Sequence, residues 1–286
     1  MTRVLVTGAS GFLAMHVVKQ LVDSREYIVR GTVRSLTNEK KVKPLKELSS
    51  ELELVEADLT KKESWIDAVK DCTYVIHVAS PFPAATPRDE MEVIGPAVDG
   101  TKNVLEACAK TKGGVKRVVL TSSCAAVYGG RAGEDHLFNE EDWASEEESI
   151  PYEKSKLMAE RAAWELVKNL PGNRYVTVSV CLWWDDMAKI LDEEFRPLGY
   201  NVPTRVAPTF LLKITSWFDP TVKMIIPVLN KEVRLDNKKI KEDFGFQFRD
   251  EKTTILDMGY SLIDSGFIKA TPKYQEMKTQ QSTASN

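Results

Sequence analysis

Val4-Leu5-Val6-Thr7-Gly8-Ala9-Ser10-Gly11-Phe12-Leu13-Ala14 joins an apolar run, a glycine-bearing turn and the start of a helix-periodic stretch. That order predicts a strand, a tight turn and a helix. The spacing Gly8-x-x-Gly11-x-x-Ala14 lets the backbone turn sharply and approach a ligand closely. The helix that follows offers unpaired N–H groups and a partial positive charge, which suits a pyrophosphate. Glycines at this spacing are common in turns. The strand before them and the helix after them give the pattern its meaning.

The same alternation continues outward from this stretch. Strand patterns fall at residues 3–6, 27–33, 52–57, 74–78 and 115–120, with helix patterns near 12–23, 38–48, 62–70, 90–112 and 151–169. Strand, helix, strand at this spacing predicts an α/β fold, a doubly wound parallel sheet covered on both faces. Ligands of such sheets sit beyond the carboxyl ends of the strands. From about residue 172 prolines recur, and helix patterns appear at 182–195 and 251–265, the second stopped by Gly266. The expected division is therefore a cofactor-binding domain over residues 1–171, a smaller C-terminal substrate lobe over 172–270, and a polar, disordered tail over 271–286.

Net charge is −3 over 286 residues, which gives no reason to expect nucleic acid or an anionic membrane surface as a partner. No apolar stretch is long enough to span a bilayer, and Met1-Thr2-Arg3 runs straight into a strand rather than a secretory signal. Cys72, Cys108, Cys124 and Cys181 lie far apart, so no metal site is expected, and reduced thiols point to the cytoplasm. His16, His77 and His136 have no sequence neighbours that suggest a metal or a nucleophile, so structural roles are expected. The tryptophans, Trp183-Trp184 included, read as core or lobe-interface residues. No motif bears on oligomeric state.

The loop positions expected to meet the cofactor are Gly8, Ser10, Gly11, Phe12 and Leu13. The second strand ends in Gly31-Thr-Val-Arg34, where an NAD site would place a carboxylate for the ribose hydroxyls. Arg34 can instead pair with a 2′-phosphate, and Lys41 can reach the same place from the next helix, so NADP(H) is the expected cofactor. Asp58 and Leu59, after the third strand, are expected to flank the adenine.

The chemistry is expected from Ser122-Ser123, at the end of the fifth strand, and Tyr152-Glu-Lys-Ser-Lys156. Tyr-x-x-x-Lys alone is weak, and Tyr274 and Lys278 repeat the spacing in the polar tail. Tyr152 and Lys156 project from one face of a predicted helix that follows the fifth strand. A carbonyl that accepts hydride develops oxyanion charge and must gain a proton. Tyr152 is expected to supply it, Lys156 to lower the phenol's pKa and bond the ribose hydroxyls, and Ser123 to bond the substrate oxygen. The partner is a small-molecule carbonyl compound.

These residues resemble the extended short-chain dehydrogenase/reductases of the epimerase/dehydratase superfamily, and within them the dihydroflavonol reductase and cinnamoyl-CoA reductase group. Val6-Thr-Gly-Ala-Ser-Gly-Phe-Leu13, Val33-Arg34, His77-Val-Ala-Ser-Pro81, Gly100-Thr-Lys-Asn-Val-Leu105 and the Ser123, Tyr152, Lys156 set carry the resemblance. It implies a Rossmann fold and an NADP(H)-linked carbonyl reductase, with Val78, Ala79 and Ser80 also at the cofactor. Two other readings stay open: an NADP-binding protein without turnover, and a nucleotide-sugar epimerase/dehydratase or hydroxysteroid dehydrogenase.

The chain departs from this pattern after the Tyr152 helix. Such proteins continue there with a strand ending in a Pro-Gly turn. Here Asn169-Leu170 is followed at once by Pro171-Gly172, and some tens of residues are missing internally. Val176-Thr-Val-Ser-Val180 is the one alternating stretch that could replace the strand.

Overall fold

The computed structural model describes residues 1–82 and 87–284. The chain divides into two compact units, residues 1–132 with 141–173, and residues 133–140 with 174–286.

The first unit is built on a parallel sheet. Its strands are β1 (Thr2–Val6), β2 (Tyr27–Val33), β3 (Glu53–Glu56), β4 (Tyr74–His77) and β5 (Arg117–Leu120), in the order β3-β2-β1-β4-β5. Val4, Leu5 and Val6 are fully or almost fully buried, as a central strand covered on both faces requires. Successive side chains along β1 point to opposite faces. Leu5 joins a cluster with Val75, Trp65, Val69 and Val104, on the side of α3 (Ser64–Val69) and α4 (Met91–Lys110). Val6 joins Val18, Val29, Val42 and Leu45, on the side of α1 (Phe12–Ser24) and α2 (Glu39–Leu48). The short α5 (Ala125–Tyr128) and the long α6 (Pro151–Leu166) complete the unit. Pro151 opens α6 where a missing N–H costs nothing.

The sheet stops at β5. Among the described residues β5 pairs with β4 alone, and Val119 is left 53% exposed. The alternating stretch Val176–Val180 forms no strand. It belongs to the second unit, where side chains take up its backbone: Val176 N donates to Glu140 Oε1 at 2.8 Å, and Asn237 Nδ2 donates to the carbonyls of Val178 and Ser179.

In the second unit β6 (Leu137–Phe138) pairs in parallel with β7 (Arg234–Leu235). The helices are α7 (Trp184–Phe195), α8 (Thr209–Thr215), α9 (Pro220–Ile225), α10 (Lys238–Phe244), α11 (Glu251–Asp264) and α12 (Pro272–Ala284), with a 3-10 turn over Ile226–Val228. Phe195, Ile263 and Tyr274 form its buried cluster. A Cβ on Gly259 would come within 2.5 Å of the Phe195 ring, so glycine lets α11 and α7 close together.

Two expectations are corrected here. The segment expected to be a disordered tail is helical up to Ala284, because Tyr274 buries itself against Phe195 and Tyr260 and its hydroxyl donates to Asp264 at 2.7 Å. Residues 285 and 286 lie outside the described residues. Trp183 and Trp184, expected as core or lobe-interface residues, are exposed at the start of α7, with Trp184 at 78%.

Candidate active site

The turn between β1 and α1 is fixed from both sides. Gly8 takes φ +66°, and a Cβ there would come within 3.0 Å of Ala79 Cβ. Its N–H donates to Thr32 Oγ1 at 2.9 Å, and Gly11 N–H closes the turn onto the Gly8 carbonyl at 2.8 Å. No side chain caps α1, and no acidic residue stands in its first turn. Its first N–H groups are thus free to meet an anion. Phe12 and Leu13 are exposed at this helix start, and Ser10 is half-buried in the turn.

Thr7 ties this turn to the end of β4. Its hydroxyl oxygen accepts from Val78 N at 3.0 Å and Ala79 N at 2.9 Å, and lies 2.8 Å from His77 Nδ1. With two donors already on the oxygen, the hydroxyl proton goes to Nδ1, which sets the imidazole tautomer. Burial pushes His77 down to about 4, with Lys156 nearby adding to the effect. His77 is therefore a neutral strut under the sheet end, as its structural role required. Sequence reading passed over Thr7, although it stands in the quoted motif.

Arg34 is exposed at the end of β2, with no hydrogen-bond or ion-pair partner among the described residues. Its charge helps to hold Asp58 below the usual carboxylate range, behind two hydrogen bonds from Thr60 and the charge of Lys61. Leu59, next to Asp58, is fixed by its carbonyl, which accepts from Asn103 Nδ2 at 2.8 Å. Lys41 stands exposed on α2, and no contact among the described residues ties it to Arg34.

The structure brings Ser123, Tyr152 and Lys156 together. Lys156 Nζ lies 5.8 Å from the centroid of the Tyr152 ring, and Phe82 meets the same ring edge to face at 5.2 Å. Ala79, Ser80, Thr121, Ser122 and Lys156 line one crevice at the carboxyl ends of β4 and β5. Burial raises the Tyr152 pKa, and the nearby Ser123 hydroxyl pulls it back. Burial lowers the Lys156 pKa. Lys156 is not among the groups that move Tyr152, which corrects the expectation that the lysine lowers the phenol's pKa: both side chains are desolvated, and that effect outweighs their mutual attraction. Lys156 has no hydrogen-bond or ion-pair partner among the described residues. A half-buried ammonium left in that state is costly, and such groups gather at functional sites.

Two glutamates of α6 were not expected. Glu153 Oε2 accepts from Gly130 N and Ile150 N, both at 3.1 Å, which ties the helix start to the loop after α5. Glu160 accepts from Ser122 Oγ at 2.5 Å. Its signal was its position, one turn beyond Lys156. The described residues hold no group of three side chains able to bind a metal ion.

The arrangement defines a class. The NAD dependent epimerase/dehydratase family matches residues 4–183, and the chain belongs to it. Over 173 residues it is 40% identical to anthocyanidin reductase of Arabidopsis thaliana, covering 57% of this chain and 50% of that protein. Cinnamoyl-CoA reductase CAD2 of Medicago truncatula is 40% identical over 58% of this chain and 53% of its own. Dihydroflavonol 4-reductase of Gerbera hybrida is 35% identical over 62% and 50%. The chain spans about half the length of these curated relatives. Among solved structures, yeast methylglyoxal/isovaleraldehyde reductase Gre2 complexed with NADPH matches with a TM-score of 0.70 at 24% identity, covering 93% of this chain and 100% of that one. Vestitone reductase from alfalfa (Medicago sativa L.) matches at 0.61 and 23%, over 94% and 100%. At these identities the likeness shows the fold, a parallel sheet with flanking helices.

Proposed function

We propose that this chain is an NADPH-dependent reductase of a small aldehyde or ketone. The observation that carries the proposal is that Tyr152 and Lys156 stand side by side on α6 with Ser123 near the phenol, while Lys156, without a hydrogen-bond or ion-pair partner among the described residues, lines a crevice with Ala79 and Ser80. The β1–α1 turn fits a pyrophosphate: Gly8 takes the left-handed backbone the turn needs, and α1 starts with no side-chain cap. Arg34, with no hydrogen-bond or ion-pair partner among the described residues, fits the 2′-phosphate that distinguishes NADP(H) from NAD(H). The reductases among its relatives support the same reaction class.

When bound, NADPH supplies the hydride. The protein's own groups manage the proton. Its raised pKa keeps the Tyr152 phenol protonated at neutral pH, in the form a proton donor to the carbonyl oxygen must have. Ser123 donates a hydrogen bond to the same oxygen. Lys156 holds the ribose hydroxyls. Cys72, Cys108 and Cys124 form no disulfide among the described residues, in keeping with a reducing, cytoplasmic setting. No helix among the described residues is long and apolar enough to cross a membrane.

Calorimetry with NADPH and NADH tests the cofactor half of the proposal. We expect selective NADPH binding, weakened about tenfold or more in Arg34→Ala. A folded protein that binds neither nucleotide would end the proposal. The missing strand beside β5 favours a second reading, a protein that binds NADP(H) without turning it over, because loose placement of reacting groups costs orders of magnitude in rate. NADPH oxidation that depends on Tyr152 would refute that second reading.

A further inference from the structure

The proposed site stands on two elements, α6 and the loop that leaves β5. A buried contact joins them at the site. Glu160 is buried; its Oε2 accepts from Ser122 Oγ at 2.5 Å and its Oε1 from Trp164 Nε1 at 3.3 Å. Glu160 and Ser122 line the same crevice as Lys156. A carboxylate sunk in the protein is tolerated when both oxygens are bonded, and a bond to an ionised acceptor is stronger than a neutral one.

The neighbourhood of β5 gives this bond its weight. An interior strand of a parallel sheet is held by a ladder on each side. β5 has a ladder only toward β4, and its other edge is unpaired among the described residues. At its end Thr121 N donates to the His77 carbonyl at 2.9 Å, on the β4 side. Ser122 then reaches α6 through Glu160, and Ser123, whose hydroxyl draws the Tyr152 pKa down, is the next residue.

We infer that Glu160 is a positioning residue: through Ser122 it fixes the loop bearing Ser123 against the helix bearing Tyr152 and Lys156, in place of the ladder that β5 lacks on its outer edge. The consequence for turnover rests on the reductase reading; the tether itself does not. Loosening it lets Ser123 move away from Tyr152, and the phenol then ionises less readily.

The test follows the 13Cζ resonance of Tyr152, assigned by its loss in Tyr152→Phe, in the full chain. In Ser122→Ala we expect the ionised fraction of Tyr152 at pH 10 to fall roughly threefold, the size of a half-unit rise in pKa. In Glu160→Gln the amide oxygen can still accept from Ser122, so the fall should be smaller. If turnover is measurable, kcat should drop in Ser122→Ala while NADPH affinity holds. An unchanged Tyr152 titration in Ser122→Ala overturns the inference, even if melting temperature falls, because a mere structural brace would lower stability alone. Should Ser122→Ala fail to fold, Ser122→Cys keeps the volume, weakens the donor and is read by the same criterion. A protein that titrates as expected without turnover sinks the reductase reading and leaves the tether standing.

Discussion

The chain carries Tyr-x-x-x-Lys twice on helices, at Tyr152 and Lys156 and at Tyr274 and Lys278, and the two pairs have nearly the same internal geometry. Lysine Nζ to ring centroid is 5.8 Å in the first and 5.7 Å in the second. Their surroundings differ. Lys278 forms an ion pair with Asp264 at 2.8 Å, and Tyr274 donates to the other oxygen of the same carboxylate at 2.7 Å. Burial and that carboxylate push the Tyr274 phenol far up, out of any working range. Among the described residues Lys156 has no such partner, and the nearby Ser123 hydroxyl draws the Tyr152 pKa down rather than up. One pair is satisfied and braces a helix. The other is left open, at the end of a parallel sheet. Spacing sets which side chains meet, and their partners set whether they can react.

The sharpest way to break this comparison is to remove the two phenols. Tyr152→Phe should lower NADPH-dependent carbonyl reduction by about 100-fold or more, the usual reach of a positioned acid. Tyr274→Phe should leave turnover within about twofold and lower stability by about 1 kcal/mol through the lost bond to Asp264. Steady-state rates and thermal melting of both variants decide; equal losses of rate would erase the distinction.

Acid should also separate the two regions. His77 has its pKa depressed to about 4 in the folded state, so the unfolded chain binds more protons between the ordinary value of 6.5 and that figure. Stability should therefore fall as pH drops through this window, by roughly 3 kcal/mol at its lower end. The Asp264 pKa is lowered first by Lys278, so its contribution is present above 3.8 and is lost only as pH falls below that value. Hydrogen exchange measured against pH should show β4 and its neighbours loosening before α12. In His77→Asn the slope between 6.5 and 4 should flatten; a persisting slope would remove His77 as its source.

The lysines should move stability in opposite directions. Burial lowers the Lys156 pKa, so its charge opposes folding at neutral pH, and the opposition fades as pH rises toward 10.5. Lys156→Met should stabilise the protein by about 1 kcal/mol while stopping turnover. Lys278→Met should destabilise it by a few tenths of a kcal/mol, because the ion pair with Asp264 is half exposed. Chemical denaturation at neutral pH measures both, and a loss of stability in each would contradict the assignment of Lys156 as an unpaired charge.

Much of the first unit was legible in the sequence. β1 is a short apolar run buried on both faces, and β1 to β4 are each followed by a helix that buries apolar residues against the sheet, so local patterning and tertiary position agree there. β2 runs over Tyr27–Val33, the limits expected for it. The second unit was harder to read. Tyr274, alone in a polar stretch, gives no periodic signal, yet its one ring is enough to dock α12. Val176–Val180 has the alternation of a strand, but its backbone is bonded by the side chains of Glu140 and Asn237, which sequence distance conceals.

The sequence by itself determined the parallel α/β unit, the glycine turn and the placing of Tyr152 and Lys156 on one helix face, because each depends on residues a few positions apart. Only the tertiary structure decided that the sheet ends at β5, that Thr7 and His77 lock the loop after β4, that Glu160 holds Ser122, and that the second Tyr-x-x-x-Lys is tied to a carboxylate. Those contacts join residues up to tens of positions apart in the chain. They form only when burial has removed the water that would otherwise serve the same groups.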